Sequence, residues 1–313
     1  MTSIGDGVVP VIKPPGMTSH DVVAYARRLW RGTRVGHTGT LDPQASGLLL
    51  LCVGQATRLA EYLQGEDKVY VAELILGVAT DTGDSYGNVT AQVPPSQAWP
   101  GEDAVRRALE HFTGVQEQVP PMASAVRVGG KHLYEWARVG RDVERPVRTV
   151  EIYRLEYLGR NPKPLGRFAD WPAAFVRVEC QAGTYVRSLC ADIGAYLGTG
   201  GHMGFLHRER AGSWRAQEAW TLEELQDLTA TGRMDAALVP MAKALRDWPL
   251  VTVTAGVAAR LRHGQAPRPD EVDLTAVPEG LVGLTYEGSL CAVARYGRQQ
   301  IRLVKVFTGT DKR

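Results

Sequence analysis

Long apolar runs are missing from this chain, and so are the spacings that build metal and redox centres. No stretch of its 313 residues approaches membrane-spanning length. Residues 1–10 are short, polar and partly acidic, which is no signal peptide. Only four cysteines occur, Cys52, Cys180, Cys190 and Cys291. None forms a Cys-x-x-Cys pair, and no cysteine–histidine group has zinc-ligand spacing. Cys52 and Cys180 sit in apolar, strand-like runs where a reduced core thiol is the usual state. The expectation is a cytoplasmic protein with no structural metal. There is no phosphate-binding Gly-x-x-x-x-Gly-Lys loop, no internal repeat and no low-complexity segment. Charge of one sign is lacking too: 36 basic residues stand against 34 acidic ones, so any nucleic-acid surface must come from local clustering.

Against these absences one stretch stands out, residues 36–49. It holds Gly36, His37, Thr38, Gly39, Thr40, Leu41, Asp42, Pro43, Gln44, Ala45, Ser46 and Gly47, and runs into an apolar strand over 48–53. Glycine lets a ligand approach the main chain closely. Pro43 biases Asp42 towards an extended or turn conformation. By itself this is a turn, in which aspartate is common. It is also a loop built to hold one acid in place. An aspartyl-phosphate loop is a poor alternative, because Thr-Gly-Thr precedes the acid and no second acidic pair for magnesium accompanies it.

The flanking chain alternates strands and helices, which supports an α+β class and no more. Strands are expected over 8–12, 48–53, 68–77, 149–158 and 175–180. Helices are expected over 21–30, 54–64, 103–112 and 222–228, and from Val186 to Leu197, whose apolar stripe recurs at helical spacing. Gly198 to Met203 reads as a glycine turn. Beyond about 246 the pattern changes to short strands with glycine-rich turns after one small helix, 255–261. Residues 308–313 form a polar tail.

Basic residues gather in three places. Arg27, Arg28, Arg31 and Arg34 lead into the Asp42 loop. Residues 118–148 mix Arg127, Lys131, Arg138, Arg141, Arg145 and Arg148 with Tyr134, Trp136 and several glycines. Arg208 and Arg210 follow the glycine turn. A solvated basic face is the bland reading, and phosphate contact with base stacking is the other. Arg187 is a third kind of oddity, an arginine at a helix start, where the dipole favours anions.

Five motifs in order resemble the tRNA pseudouridine synthase B (TruB) family. They are Lys13-Pro-x-Gly-x-Thr-Ser; the Gly36-to-Gly47 loop; Lys68-x-Tyr70 with Leu76-Gly77-x-x-Thr80-Asp81-Thr82-Gly83-Asp84-x-x-Gly87; Pro120-Pro-x-x-Ser-Ala to Arg138; and Gly183-Thr-Tyr-x-Arg187 followed by Leu206-x-Arg208-x-x-x-Gly212. The resemblance covers about residues 8–245. It departs at Arg127, where lysine is usual, at Ala123, where an aromatic is frequent, and over the inserted-looking stretch 162–172.

The resemblance implies a pseudouridine synthase fold: a mixed, mainly antiparallel sheet flanked by helices with a central cleft. It implies a catalytic domain over 1–246 with an RNA-gripping insertion at about 118–148, and a small β-rich, PUA-like RNA-binding domain over 247–313. The implied activity turns uridine 55 of the tRNA T loop into pseudouridine, without cofactor or metal, guide RNA or obligate protein partner, as a monomer. Asp42 would act as nucleophile or base at the sugar, paired with Arg187. Burial alone would raise the pKa of Asp42, and the guanidinium is expected to lower it again. Tyr70 would stack on the target base and Tyr185 would line its pocket. Leu206 would close the apolar side, and His37 would fill the gap that the flipped base leaves. Lys13, Arg127 and Lys131 are further candidates for contact with the RNA.

Overall fold

The computed structural model describes residues 4–161, 164 and 166–308. Residues 162, 163 and 165 of the 162–172 stretch, and residues 309–313 of the polar tail, lie outside the described residues.

The chain begins with β1 (Gly7–Lys13), α1 (Ser19–Leu29), β2 (Val35–Thr38) and β3 (Ser46–Val53). A 3₁₀ turn, Gly54–Leu59, then passes into α2 (Ala60–Gln64). Next come β4 (Lys68–Leu76), the small hairpin β5 (Val78–Thr80) and β6 (Val89–Gln92), α3 (Glu102–His111) and β7 (Gly114–Gln118). A second small hairpin, β8 (Arg127–Val128) and β9 (Lys131–His132), leads into α4 (Leu133–Arg138). The long strands β10 (Arg148–Asn161) and β11 (Ala173–Cys180) are followed by α5 (Val186–Tyr196), β12 (Gly201–Ala211), β13 (Trp214–Arg215), α6 (Leu222–Ala230), β14 (Val239–Pro240) and α7 (Met241–Ala244).

Ten of these strands make one mixed, mainly antiparallel sheet. Eight lie in the order β14-β1-β3-β12-β4-β11-β10-β7, with β2 beside β3 and β13 beside β12. Among the described residues its one parallel strand pairing, β12 with β3, brings the strand that follows the Asp42 loop against the strand carrying Leu206 and Arg208. Every residue of β3 is buried. The two-residue alternation of a strand explains how. Leu49, Leu51 and Val53 pack under α1 and α6, while Leu48, Leu50 and Cys52 face the other core with Leu59, Trp214 and Leu245.

Helix α1 starts at Ser19, two residues before the expected position 21, because Thr18 rather than Ser19 is the cap. The Thr18 hydroxyl accepts the Asp21 N–H at 3.0 Å and Asp21 Oδ2 accepts the Thr18 N–H at 2.8 Å, a capping box worth about 1 kcal/mol. Strand β12 departs from expectation. Its glycine opening and the run His207-Arg208-Glu209-Arg210 carry no strand pattern, yet it is an 11-residue strand at the centre of the sheet. Its charges are accommodated by partners across the sheet, Arg210 with Glu179 and Glu209 with Arg177. β2 and β7 are likewise strands whose short sequences carry no strand pattern.

The C-terminal sheet runs β15 (Leu250–Thr252), β16 (Gly280–Tyr286), β17 (Ser289–Gly297) and β18 (Gln300–Val306), with α8 (Ala255–Arg262) after its first strand. It has its own core around Leu261, Val282, Leu284 and Ala294. Leu290, Val293 and Phe307 join it to the main body. The Lys305–Glu61 ion pair and an Arg58 bond to the Val306 carbonyl at 2.5 Å seal that seam. No helix among the described residues is long and apolar enough to cross a membrane.

Candidate active site

The Asp42 loop spans the end of β2 and the start of β3, and buried groups hold it from below. Lys13 is fully buried, and its Nζ donates to three main-chain carbonyls, Pro14 at 3.0 Å, Met17 at 2.5 Å and Pro43 at 3.1 Å. Burial pulls its pKa down to about 8, against the pull of Asp42 in the other direction. Lys13 therefore carries a charge at neutral pH but spends its donors on the loop. Ser19, at the head of α1, accepts the Leu41 N–H at 3.0 Å and donates to the Leu41 carbonyl at 3.3 Å. Gly47 is required by close approach. It has a φ of +105°, and a Cβ there would stand 2.4 Å from the carbonyl oxygen of Arg208.

Asp42 meets Arg187 side-on. Arg187 Nε lies 2.9 Å from Oδ2 and Nη2 lies 3.2 Å from Oδ1, a bidentate fork. On the far side of the guanidinium, Nη1 lies 3.5 Å from Asp84 Oδ2. The arginine is 5% exposed and so stands between two carboxylates. This explains an arginine at the positive end of α5: two acids offset the unfavourable dipole. Asp84 is fixed in turn by the Thr82 hydroxyl at 2.7 Å, the Tyr86 N–H at 3.0 Å and the Gln44 amide at 2.8 Å. Burial pushes the Asp42 carboxyl upward, Arg187 opposes it, Asp84 adds to the push, and Lys13 pulls down again. The net direction is up. The guanidinium therefore restrains the shift but does not reverse it, contrary to the expected lowering, because desolvation exceeds the attraction of one cation shared with a second acid.

Beside the pair stands an apolar wall. Leu41, Leu206 and Ala72 are buried together, and Tyr70 packs against them partly exposed. Tyr70 and Arg208 are register partners on β4 and β12. Burial raises the Tyr70 phenol, and the neighbouring Arg208 guanidinium pulls it back, so the phenol stays protonated at neutral pH. Arg208 is itself buried, with Nη2 on the Gly39 carbonyl at 3.0 Å and Nε on the Leu48 carbonyl at 2.7 Å.

The remaining candidates divide. Tyr185 is the partly exposed N-cap residue of α5, two positions before Arg187. His37 lies half-buried on β2, edge-on to His20 with ring centres 5.4 Å apart. Its Nδ1 has no hydrogen-bond partner among the described residues. Burial first, then His20 and Arg208, lower its pKa to about 4, which keeps the ring neutral. Arg127 and Lys131 are exposed on the β8–β9 hairpin. There Lys131 and Arg141 both lie over the Trp136 ring, at 4.8 and 5.2 Å. Of the arginines at the end of α1 and beyond it, Arg27, in its last turn, ends on the Val35 carbonyl at 2.7 Å.

Sequence reasoning passed over Ser19, Asp84, Gln118 and Arg208 as parts of this cluster. Asp84 lay in view inside the Thr-Asp-Thr-Gly-Asp motif, but as one acid of a polar loop. Ser19 and Arg208 lay inside family motifs too, and Gln118 outside any, but nothing local joins the three to this cluster, since their partners are 22 to 169 positions away.

Comparison with known proteins agrees on one family. Residues 27–186 match the model described as TruB family pseudouridylate synthase (N terminal domain), and residues 187–246 match the tRNA pseudouridylate synthase B C-terminal domain. The chain is 52% identical over 262 residues to a tRNA pseudouridine synthase B of Symbiobacterium thermophilum, covering 84% of this chain and 83% of that one. It is 43% identical over 309 residues to the protein of that name from Pelotomaculum thermopropionicum, covering 96% and 95%. Among solved structures it is similar to a Cbf5–Nop10–Gar1 complex, at 28% identity and a TM-score of 0.71 over 97% of this chain and 84% of that chain. An H/ACA RNP bound to a substrate RNA containing 2′-deoxyuridine is similar at 27% identity and a TM-score of 0.71, over 97% and 86%.

Proposed function

The chain belongs to the TruB family of pseudouridylate synthases, and from that premise we propose that it isomerises uridine 55 in the T loop of tRNA, with Asp42 as the acting acid. It has the pseudouridine synthase fold and is a tRNA pseudouridine synthase, an isomerase. The site, the roles of its residues and the choice of uridine are our reading. The observation that carries the reading is the Arg187 fork on a carboxylate walled by Leu41, Leu206 and Tyr70.

The reaction breaks the N1–C1′ bond of the uridine, turns the base over and joins C5 to C1′. The C5 proton is lost to water and N1 finishes with a proton, so the product is an isomer. Asp42, ionised, attacks the nucleotide or takes a proton from its sugar. Arg187 keeps the carboxylate charged and aimed. Tyr70, held protonated, stacks on the base, and Leu206 closes the apolar side of the pocket. Tyr185 lines the pocket. Lys13 serves the reaction by holding the loop.

A base stacked within the folded T loop must leave its stack, at about a few kcal/mol. The neutral ring of His37 can fill that place. Exposed Arg127 and Lys131, with the cation–aromatic stack at Trp136, suit an RNA grip over 118–148. The C-terminal unit, 247–313, is read as a PUA-like RNA-binding domain. An open cavity of about 460 Å³ lined by Arg295, Arg298 and Arg302, with Tyr296 and one carboxylate, Glu279, supports that reading. The protein acts alone, as a cytoplasmic monomer, without guide RNA or cofactor.

The test is to incubate the purified protein with unmodified tRNA transcript alone and map pseudouridine by carbodiimide adducts that stop primer extension. A single new stop at position 55, lost from a transcript with cytidine there, is the expected result. Stops elsewhere, or a need for added guide RNA, would refute the proposed specificity.

A further inference from the structure

The insertion over residues 118–148 closes on one rung of the sheet. Gln118, the last residue of β7, pairs with Arg148, the first of β10. At that rung the Gln118 side chain is turned inward and is 3% exposed. Its Oε1 accepts the Tyr185 N–H at 2.9 Å, and its Nε2 donates to the Tyr185 carbonyl at 3.3 Å. One side chain thus engages both main-chain groups of a residue 67 positions away.

That residue is an N-cap. Caps normally satisfy the first turn with a serine, threonine, aspartate or asparagine side chain. Tyr185 makes no side-chain cap bond, so α5 lacks the usual local anchor at its start. Gln118 supplies an anchor from the root of the insertion.

Two more bonds run between the same segments. Ser188 Oγ donates to the Val119 carbonyl at 3.0 Å, and Arg187 Nη2 donates to the Ala123 carbonyl at 2.8 Å. Residues 118, 119 and 123 therefore hold residues 185, 188 and 187. The Arg187 Nη2 that reaches Ala123 is also the atom that reaches Asp42 Oδ1. A displacement of the insertion's root is then a displacement of the guanidinium against the acid, because packed, hydrogen-bonded segments shift together.

We infer that Gln118 is a positioning residue: it ties the Tyr185–Ser188 turn to the root of the RNA-gripping insertion, so that seating the insertion on tRNA sets the placement of Tyr185 and Arg187 for the reaction. This rests on the functional reading given above. Binding energy gathered at Arg127, Lys131 and Trp136 is thereby used to orient the reacting groups, a recurrent way for remote contacts to raise a rate.

Two variants test it. Gln118→Met keeps the length of the side chain and removes both bonds. Gln118→Glu keeps the acceptor for the Tyr185 N–H and sets an oxygen against its carbonyl. Single-turnover release of tritium from C5-labelled tRNA is measured at saturating protein, and the tRNA Kd is measured separately. With both bonds lost, the Met variant is expected to be on the order of tenfold slower. Its Kd should stay within about threefold.

The acid limb of the rate should also move to higher pH. Of the groups facing Asp42, namely Arg187, Asp84 and Lys13, only Arg187 is loosened. A merely structural role would not move that limb. A rate within twofold of wild type with an unmoved limb would overturn the inference, as would a loss confined to Kd. If the Met variant does not fold, the isosteric Glu variant is read by the same criteria. Absence of tritium release by wild type would remove the functional reading itself, whereas release that is indifferent to Gln118 removes only this inference.

Discussion

Replacing Arg187 with lysine keeps the charge and destroys the fork. The guanidinium now meets Asp42 through two atoms, at 2.9 and 3.2 Å, the Ala123 carbonyl at 2.8 Å and Asp84 at 3.5 Å. An ammonium has three protons on one nitrogen and cannot span both Asp42 oxygens while reaching Ala123 and Asp84. At least one charge-assisted bond to Asp42 is lost, worth about 1.5–3 kcal/mol. At about 1.4 kcal/mol per decade this is roughly a 10- to 150-fold slower chemical step. Salt screening will not soften the effect much, because the arginine is 5% exposed. The assay is single-turnover tritium release with protein in excess over labelled tRNA, beside a filter-binding Kd. The slow step should appear at saturating protein with Kd nearly unchanged. A rate within twofold of wild type would refute the reasoning, since it would mean that the fork contributes nothing beyond its charge.

Two further outcomes follow from the electrostatics. Asp42 works ionised and its folded pKa is raised, so activity should be full above that pKa and fall as pH drops through it, at a pH above the usual carboxylate range; a rate constant flat down to pH 4 would contradict this. His37 is neutral above about pH 4, so its ring should act by shape rather than charge: His37→Phe should keep most activity on folded tRNA, while His37→Ala should lose more on folded tRNA than on a pre-opened stem-loop. Equal losses for His37→Ala on both substrates would reject the wedge.

What the sequence made legible was local. Asp42 between Thr-Leu and Pro, with glycines on both sides, reads as a fixed acid because each residue constrains its neighbours. Val22, Val23 and Ala26 mark one face of α1, whereas its true cap, Thr18, shows only once the Thr18–Asp21 bonds are seen. The α+β class follows from such runs. Strand β12 was hidden because its apolar positions are interrupted by His207, Arg208, Glu209 and Arg210, whose burial depends on partners in β4 and β11. Lys13 looked like a basic contact for RNA, and only the folded loop shows three carbonyls closing on its Nζ. Asp84 and Gln118 escaped for the same reason: an acid at 84 or an amide at 118 acquires meaning only when folding brings residues 185–187 to it. The pairing of Asp42 with Arg187 was accessible through the family resemblance, but the direction of the Asp42 pKa was not. It depends on how much water the walls exclude and on a second carboxylate sharing the cation.

The central claim is that Asp42 performs the chemistry. Wild type and Asp42→Asn are compared for tritium release from C5-labelled, unmodified tRNA, with neither cofactor nor guide RNA added. The account predicts release of about one uridine's label per tRNA by wild type. It predicts none by the variant, whose tRNA Kd stays within a few-fold because Asn retains the side chain's size. A variant that keeps even about a tenth of the wild-type rate would contradict it, since loss of an essential nucleophile or base costs far more than tenfold.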